Sequence, residues 1–132
     1  MGDLTIKDND LIRLRHTDNK ELSDLKPFQK DIYLFTTYIA GTTHVEGILE
    51  LEPHINIGDR LNFVRKPGNT YDKNAIEIRN IDNVKLGFVP QKDNIIFSRL
   101  MDAGKMLFAK ITSKEMKGKW LYITIDIYLY DL

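Results

Sequence analysis

The sequence predicts a mainly β domain, a sandwich or a small barrel of about six or seven short strands with one inserted helix. Three observations predict it. Short runs of β-branched and aromatic residues recur between residues 32 and 130, turn-forming residues interrupt them, and residues 91–105 alone among these segments carry a helical pattern. A parallel sheet would need a crossover helix after each strand. The 132 residues suffice for one domain with its own core.

The first thirty residues differ in composition from the rest. They are rich in Asp, Asn and Lys, and Pro27 closes a run in which leucines recur at approximate helical spacing, at Leu11, Leu14, Leu22 and Leu25. We therefore predict a partly helical N-terminal arm over residues 1–30 that packs on the core or reaches a partner, and a β domain over residues 31–132.

The β pattern begins with residues 31–40, which are aromatic and β-branched and end at Gly41. Residues 44–51 follow as a predicted second strand, in which Gly47 marks a possible bulge. Pro53 then breaks the pattern and begins a connection to the next strand.

Three further strands follow with clear stops. Residues 60–66 alternate and end before Pro67, and residues 75–80 alternate again. A turn is predicted at residues 80–83, and the short strand that follows it ends at Pro90.

The predicted helix has Asp93 as a plausible N-cap and Gly104 as its stop. Its spacing gathers one group of residues close to one face: Ile95, Ile96, Arg99, Leu100 and Ala103.

The last segment predicts a hairpin. A strand runs to Ser113, a basic turn continues through Gly118, and a long final strand follows. In that strand the predicted core face alternates with a polar and aromatic face, and consists of Leu121, Ile123, Ile125, Ile127 and Leu129.

Charge and composition exclude several classes of protein. Nineteen basic and nineteen acidic residues cancel, so the total charge points to no nucleic-acid, membrane or acidic partner. The sequence has no cysteine, which excludes disulfides, thiolate catalysis and Cys-based zinc sites. No apolar run has a membrane helix's length of about 18 residues, and the polar start does not resemble a signal peptide. We predict a soluble, cytoplasmic protein without a membrane partner.

The basic residues are nevertheless clustered. Between residues 60 and 79 five bases face two acids, and between residues 104 and 120 five lysines face one glutamate. These stretches are either solvated strand edges and turns or, if they share one face, a surface for a polyanion.

Three segments occur in a characteristic order: "YIAGTTHVEG" at residues 38–47, "NTYDKNAIEI" at residues 69–78, and "LGFVPQKDNIIFSRLMDAG" at residues 86–104. Together they resemble the HIRAN family, a small β-rich domain of certain DNA-repair ATPases that also occurs as standalone bacterial and phage proteins. The resemblance covers roughly residues 32–130. It implies an OB-like small β-barrel that binds single-stranded DNA and holds a free 3′ end in a pocket.

The resemblance also implies roles for one loop. Tyr71 matches the position that offers a ring for base stacking, and Asp72 matches the carboxylate that accepts a hydrogen bond from a terminal hydroxyl. Lys73 is a candidate phosphate contact, and Asn74 is expected to order the loop. Without the resemblance, the residues themselves favour a structural interpretation, in which Asp72 and Asn74 are ordinary turn residues and Tyr71 covers the barrel mouth.

The sequence departs from the DNA-end-binding relatives at two points. Where they carry a basic residue and aromatics after the first glycine, this chain has Thr43 and His44, and where they carry a histidine it has Phe88. These changes predict looser single-strand or DNA-end binding rather than strict 3′-end recognition. Further candidate backbone contacts beside the loop are Lys92, Arg65 and Lys66.

No catalytic set is found in the sequence, and neither a cofactor nor a metal site is expected. The three histidines show no zinc-site spacing, and no G-x-x-x-x-G-K-[ST] motif is present, so any ATPase or nuclease would be a separate partner protein. The predicted function is a non-catalytic nucleic-acid-binding module in DNA repair or replication. Two alternatives stay open: a protein-interaction module, and a small metal-dependent nuclease built from carboxylates such as Glu50 and Glu52.

Overall fold

The computed structural model describes residues 30–131, which form one antiparallel sheet and two α-helices. The predicted arm over residues 1–30 lies outside the described residues except for Lys30. The strands are β1 (Lys30–Tyr38), β2 (Arg60–Arg65), β3 (Ile76–Arg79), β4 (Lys85–Phe88), β5 (Met106–Lys117) and β6 (Trp120–Asp131), and the helices are α1 (Ile48–Leu51) and α2 (Asn94–Asp102).

The six strands lie in the order β1-β6-β5-β2-β3-β4 and curve into a half-barrel. Just beyond β1, Ala40 forms an antiparallel bridge with Phe88 of β4, with N···O distances of 2.8 and 2.9 Å. The two outer strands of the sheet are therefore joined at this end. The prediction of a mainly β, OB-like small barrel is confirmed.

Gly87 allows this closure. A Cβ atom at Gly87 would lie 2.4 Å from the carbonyl oxygen of Ala40 and 2.6 Å from the side chain of Ile39. Only a residue without a side chain permits the two backbones to approach so closely.

The core follows the alternation of the sequence. Leu121, Ile123, Ile125 and Ile127 of β6 are fully buried, as predicted. The hairpin of β5 and β6 is longer than predicted, because β5 continues past Ser113 to Lys117. Gly118, with φ 64°, supplies the positive φ that a two-residue turn requires. The basic residues before it therefore stay paired with β6.

The predicted second strand over residues 44–51 is wrong. The chain forms a 3₁₀ turn at Thr42–His44, helix α1 and a second 3₁₀ turn at Glu52–His54. Gly41 and Gly47 turn the chain with φ 77° and 79°. Ile48 and Ile55 are buried, and Leu51 packs against the same core. These apolar residues recur every three to four positions, and this helical spacing prevails over the β propensity of the segment.

The face predicted for α2 is wrong for Ile95 and Ile96, whereas Leu100 of that face packs against the core. The buried residues of the helix are Asn94, Phe97 and Ser98, whereas the side chains of Ile95 and Ile96 are 47% and 68% exposed. On the buried side, Phe97 packs in the core and Asn94 donates a hydrogen bond to Asp72 in the loop before β3. Within residues 30–131, neither helix has the length and hydropathy to cross a membrane.

Asp93 precedes α2 but does not cap it. Its carboxylate instead accepts a hydrogen bond from Thr37 Oγ1 at 2.8 Å and pairs with Lys92 Nζ at 3.0 Å. The predicted N-cap thus joins the start of the helix to β1.

Candidate functional site

The loop between β2 and β3, residues 66–75, is ordered by its own polar side chains. Asn69 Oδ1 accepts hydrogen bonds from the backbone N–H of Tyr71 at 2.8 Å and of Asp72 at 3.0 Å. Asp72 Oδ1 accepts another from the N–H of Asn74 at 2.9 Å. The turn chemistry expected of Asp and Asn in the sequence therefore operates here, and it fixes where the ring and the carboxylate lie.

Arg65 holds this loop from the end of β2. Its guanidinium donates to the carbonyl oxygens of Ala75 at 2.8 Å and Lys73 at 3.1 Å, and it forms a two-point pair with Asp102 at 2.9 and 3.1 Å. The hydrogen bond from Arg65 holds the pKa of the Asp102 carboxyl below its ordinary value. These contacts commit Arg65 to the loop, and its contact with a nucleic acid stays a prediction.

An open pocket of about 240 Å³ lies beside the loop. Three residues singled out in the sequence line it together: Tyr71, Asp72 and Phe88. The bridge that joins the outer strands forms another part of its wall. The full lining is Ala40, Asn69, Tyr71, Asp72, Ala75, Phe88, Val89, Gln91 and Asn94.

Tyr71 and Asp72 present different surfaces to this pocket. The side chain of Tyr71 is 94% exposed, so its ring is open to a stacking partner. Asp72 is half-buried, and its Oδ2 accepts a hydrogen bond from Asn94 Nδ2 at 2.7 Å. Each carboxylate oxygen carries two acceptor positions, so Asp72 keeps capacity for a further hydrogen bond.

Phe88 adds a second ring to the pocket. It is half-buried, its backbone makes the bridge to Ala40, and Lys85 Nζ lies 4.6 Å from the centroid of its ring. The barrel closure therefore fixes the backbone position that carries this ring.

The other predicted contacts lie outside the pocket lining. Thr43 and His44 are exposed on the 3₁₀ turn that follows Gly41, and the neighbouring Thr42 anchors that turn by donating to the carbonyl oxygen of Leu121 at 2.8 Å. The remaining candidates, Lys66, Lys73, Asn74 and Lys92, flank the pocket along the chain, so their contacts with a ligand stay predictions. The described residues that line the pocket include no Lys or Arg.

Three aromatic residues on β1 and β6 form a cluster that the sequence does not predict. Tyr38 lies 6.2 Å from Trp120 and 5.8 Å from Tyr122, between ring centroids, and Trp120 and Tyr122 are 4.9 Å apart. Lys92 Nζ lies 5.8 Å from the ring of Tyr38, and Lys117 Nζ lies 4.3 Å from that of Tyr122. We call these five residues the aromatic–lysine cluster.

The cluster adjoins the pocket in sequence, because Lys92 follows Gln91 of the pocket lining. Its signal in the sequence is the aromatic face of the final strand, which alternates with the core face. Nothing in the sequence marks Asn94 as a pocket residue, because a lone asparagine at a helix start is typical of local capping.

The described residues bear on two arrangements that an enzyme would use, a metal site and a pair of carboxylates. Within residues 30–131 no group of three or more His, Asp or Glu side chains is arranged to hold a metal ion. Glu52, one of the two carboxylates considered for a nuclease, is paired with Lys114 at 2.7 Å.

Comparisons with known proteins agree with this architecture. The model of the HIRAN domain matches residues 32–130. A crystal structure of a protein from Lactobacillus plantarum is 23% identical, with a TM-score of 0.73, covering 79% of this chain and 99% of that chain. The crystal structure of the HIRAN domain of human HLTF is 16% identical, with a TM-score of 0.63, covering 81% of this chain and 83% of that domain.

A third similar structure is the NMR structure of the human HLTF HIRAN domain in its DNA-bound conformation. It is 16% identical, with a TM-score of 0.56, covering 83% of this chain and 84% of that chain. At these identities the structural likeness establishes the fold. A search of curated proteins found no match.

Proposed function

This chain belongs to the HIRAN domain family, and on that premise we propose that it is a non-catalytic nucleic-acid-binding module that takes up the end of a single strand. One observation carries the proposal: an exposed ring and a carboxylate, Tyr71 and Asp72, lie side by side on one open pocket. The DNA-bound conformation described for a similar HIRAN domain supports it.

Stacking supplies the sequence-independent part of the binding. The exposed ring of Tyr71 offers a face to a terminal base, and the ring of Phe88 offers a second aromatic surface in the same pocket. Every base has an aromatic face, so such contacts tolerate any sequence.

Asp72 supplies the selection for an end. Its carboxylate accepts a hydrogen bond from a terminal hydroxyl and repels a phosphate group in the same position. The described residues that line the pocket include no Lys or Arg to offset this repulsion, and Lys85 lies outside the lining, over the ring of Phe88. A strand ending in a 3′-hydroxyl is therefore favoured over a strand ending in a 3′-phosphate.

The rest of the strand leaves the pocket along the aromatic–lysine cluster. Lys92 begins this path next to the pocket, and Trp120 and Tyr122 continue it, with Lys117 at its far side. Alternating cations and rings suit phosphate contacts combined with base stacking.

We place this binding in DNA repair or replication, where single strands and free ends arise. The module would then act beside an ATPase or a nuclease; the 132 residues carry no phosphate-binding loop of the ATPase type.

The test is a titration of two labelled single strands that differ only in a 3′-hydroxyl or 3′-phosphate end. We expect the hydroxyl end to bind tighter by roughly 10- to 100-fold, the range for a hydrogen bond to a charged group. Asp72→Ala should remove this preference.

Asp72→Asn serves as the matched variant, because it keeps the shape of the side chain and removes the charge. Equal, salt-sensitive binding of both ends by the wild-type protein would reduce the proposal to strand tracking without end capture. No binding of either strand at low salt would refute the proposal, and cleavage of a strand with added magnesium would favour the nuclease alternative.

One observation favours the protein-interaction alternative. Phe35, Ile95 and Ile96 line an open, mainly apolar pocket of about 430 Å³ between β1 and α2, and all three side chains are exposed. Exposed apolar side chains gathered in this way are typical of contacts with other proteins. This surface shares no residue with the lining of the Tyr71 pocket, but it includes Lys92, where the proposed strand path begins.

A further inference from the structure

Resting on the function proposed above, we infer that Asn94 is a specificity-determining residue of the pocket: its side-chain oxygen accepts a hydrogen bond from an N–H or O–H group of the bound nucleotide. A terminal nucleotide offers two such donors, a sugar hydroxyl and an amine of the base. Asp72 accepts from the hydroxyl in the proposed function, which leaves the amine for Asn94.

The orientation of the Asn94 amide is fixed by its neighbour. Asn94 lies at the first position of α2, is 1% exposed, and lines the pocket. Its Nδ2 lies 2.7 Å from Asp72 Oδ2. An ionised carboxylate only accepts hydrogen bonds, so the atom that faces it is the amide nitrogen, and Oδ1 points away from Asp72.

Asn94 Oδ1 is the unusual atom. It is buried and has no hydrogen-bond partner among residues 30–131. Buried polar side-chain atoms are nearly always bonded, since leaving one unpaired loses its interaction with water without replacement. An apolar residue would fill the same position of the helix without this penalty, so the asparagine needs a reason beyond packing.

The chemistry of the pocket wall indicates what the partner is. One N–H of Asn94 Nδ2 is donated to Asp72, and the Asn94 Oδ1 atom and the Asp72 carboxylate are acceptors. The complement of these acceptors is a donor. Ala40, Ala75 and Val89 make the remaining wall largely apolar, which suits the flat body of a base.

A purely structural role for Asn94 has a different signature. If Asn94 only held Asp72 in place, its loss would weaken the strands that end in a hydroxyl, which Asp72 accepts, and would leave the effect of the base amine unchanged. If Oδ1 accepts from the ligand, its loss removes the discrimination between strands that carry the donor and strands that lack it.

The experiment uses the full chain and three 5′-labelled strands that differ only at the 3′-terminal nucleotide. The first ends in deoxyadenosine, with both donors. The second ends in dideoxyadenosine, which lacks the hydroxyl, and the third in purine deoxyriboside, which lacks the amine. Fluorescence anisotropy measures each Kd for the wild-type protein and for Asn94→Leu.

We expect the wild-type protein to bind the strand without the amine roughly three- to tenfold more weakly than the first, the effect of one hydrogen bond. In Asn94→Leu that difference should vanish. Ser98→Ala is the matched control, because Ser98 is equally buried on the same helix but lies outside the pocket lining. It should keep the difference.

Three results separate the possible failures. If the wild-type protein binds strands but Asn94→Leu keeps the full difference, or the strand without the amine binds as tightly as the first, the inference is overturned and the proposed function stands. If the wild-type protein binds none, the proposed function itself fails and the inference falls with it.

A measurement on the unmutated protein guards against a variant that fails to fold. The side-chain amide signal of Asn94 in a ¹⁵N spectrum should shift on addition of the strand with both donors. It should shift less with the strand that lacks the amine. Equal shifts with these two strands would contradict the inference.

Discussion

At the scale of single residues, the pocket depends on side chains with separate tasks. Asn69 and Arg65 hold the loop, Asp72 and Asn94 are bonded to each other, and Tyr71 has almost its whole side chain in solvent. Asp72 accepts a hydrogen bond from the N–H of Asn74, as an ordinary turn residue does. That bond coexists with its place on the pocket wall.

Replacing Tyr71 tests the stacking contact. Because the Tyr71 side chain is 94% exposed, Tyr71→Ala should leave the melting temperature nearly unchanged. It should weaken single-strand binding by roughly 1–3 kcal/mol, the contribution of one stacked base. The checks are a thermal melt and a binding titration on the same sample.

Tyr71→Phe is the control for this prediction, since it keeps the ring and removes the hydroxyl. It should bind nearly as tightly as the wild-type protein. A Tyr71→Ala protein that melts much earlier but binds normally would instead mean that the ring covers the barrel mouth.

At the scale of elements, the pocket exists because the two outer strands of the sheet meet. The bridge between Ala40 and Phe88 brings the chain after β1 against β4, and the helix α2 then carries Asn94 to the same place. Neither element contains the site by itself. The closeness of the two backbones at Gly87 is the condition for this arrangement.

A substitution at Gly87 tests that condition. In Gly87→Ala the new Cβ would lie 2.4 Å from the carbonyl oxygen of Ala40, so the bridge must open or shift. We expect a loss of unfolding free energy of roughly 1–3 kcal/mol, as for other overpacked sites, together with weaker strand binding. Chemical denaturation measures the first effect.

Gly68→Ala provides the comparison, because a Cβ at Gly68 meets no atom within 4 Å. It should change stability by no more than about 0.5 kcal/mol. Equal effects of the two substitutions would mean that the close approach at Gly87 does not limit stability.

At the scale of the whole molecule, charge is balanced and attraction to a strand must come from local groups. The nineteen basic and nineteen acidic residues cancel, and the positive groups that contacts place beside the pocket and the proposed path are few: Lys85, Lys92 and Lys117. Binding should therefore depend on salt only modestly.

The modest salt dependence can be stated as a slope of log affinity against log salt concentration. Contacts with two to four phosphates predict a slope of log affinity against log salt between about −1.4 and −2.8 for a single strand. Lys92→Ala should reduce its magnitude by about 0.7. Lys105→Ala, which alters a lysine that lines a different pocket, should leave the slope unchanged. A slope near zero, or one steeper than about −5, would contradict local tracking.

Most of the fold could be predicted from the sequence, because its signals are local. Strand alternation gave the core face of β6, and Pro and Gly gave the ends of β2 and β4. Where two local signals competed, the prediction failed. Residues 44–51 carry β-branched side chains and also apolar residues at helical spacing, and the burial of Ile48 against the core decided for the helix.

The sequence by itself determined the β class, the positions of most strands, and a loop that carries a ring and a carboxylate. Only the tertiary structure decided that Phe88 and Asn94 join Tyr71 and Asp72 around one pocket, and that Tyr38 meets Trp120 and Tyr122. The physical reason is range. Alternation and turn chemistry act between residues close in the chain, whereas a pocket depends on how the sheet closes and how α2 is rotated, which contacts between distant segments fix.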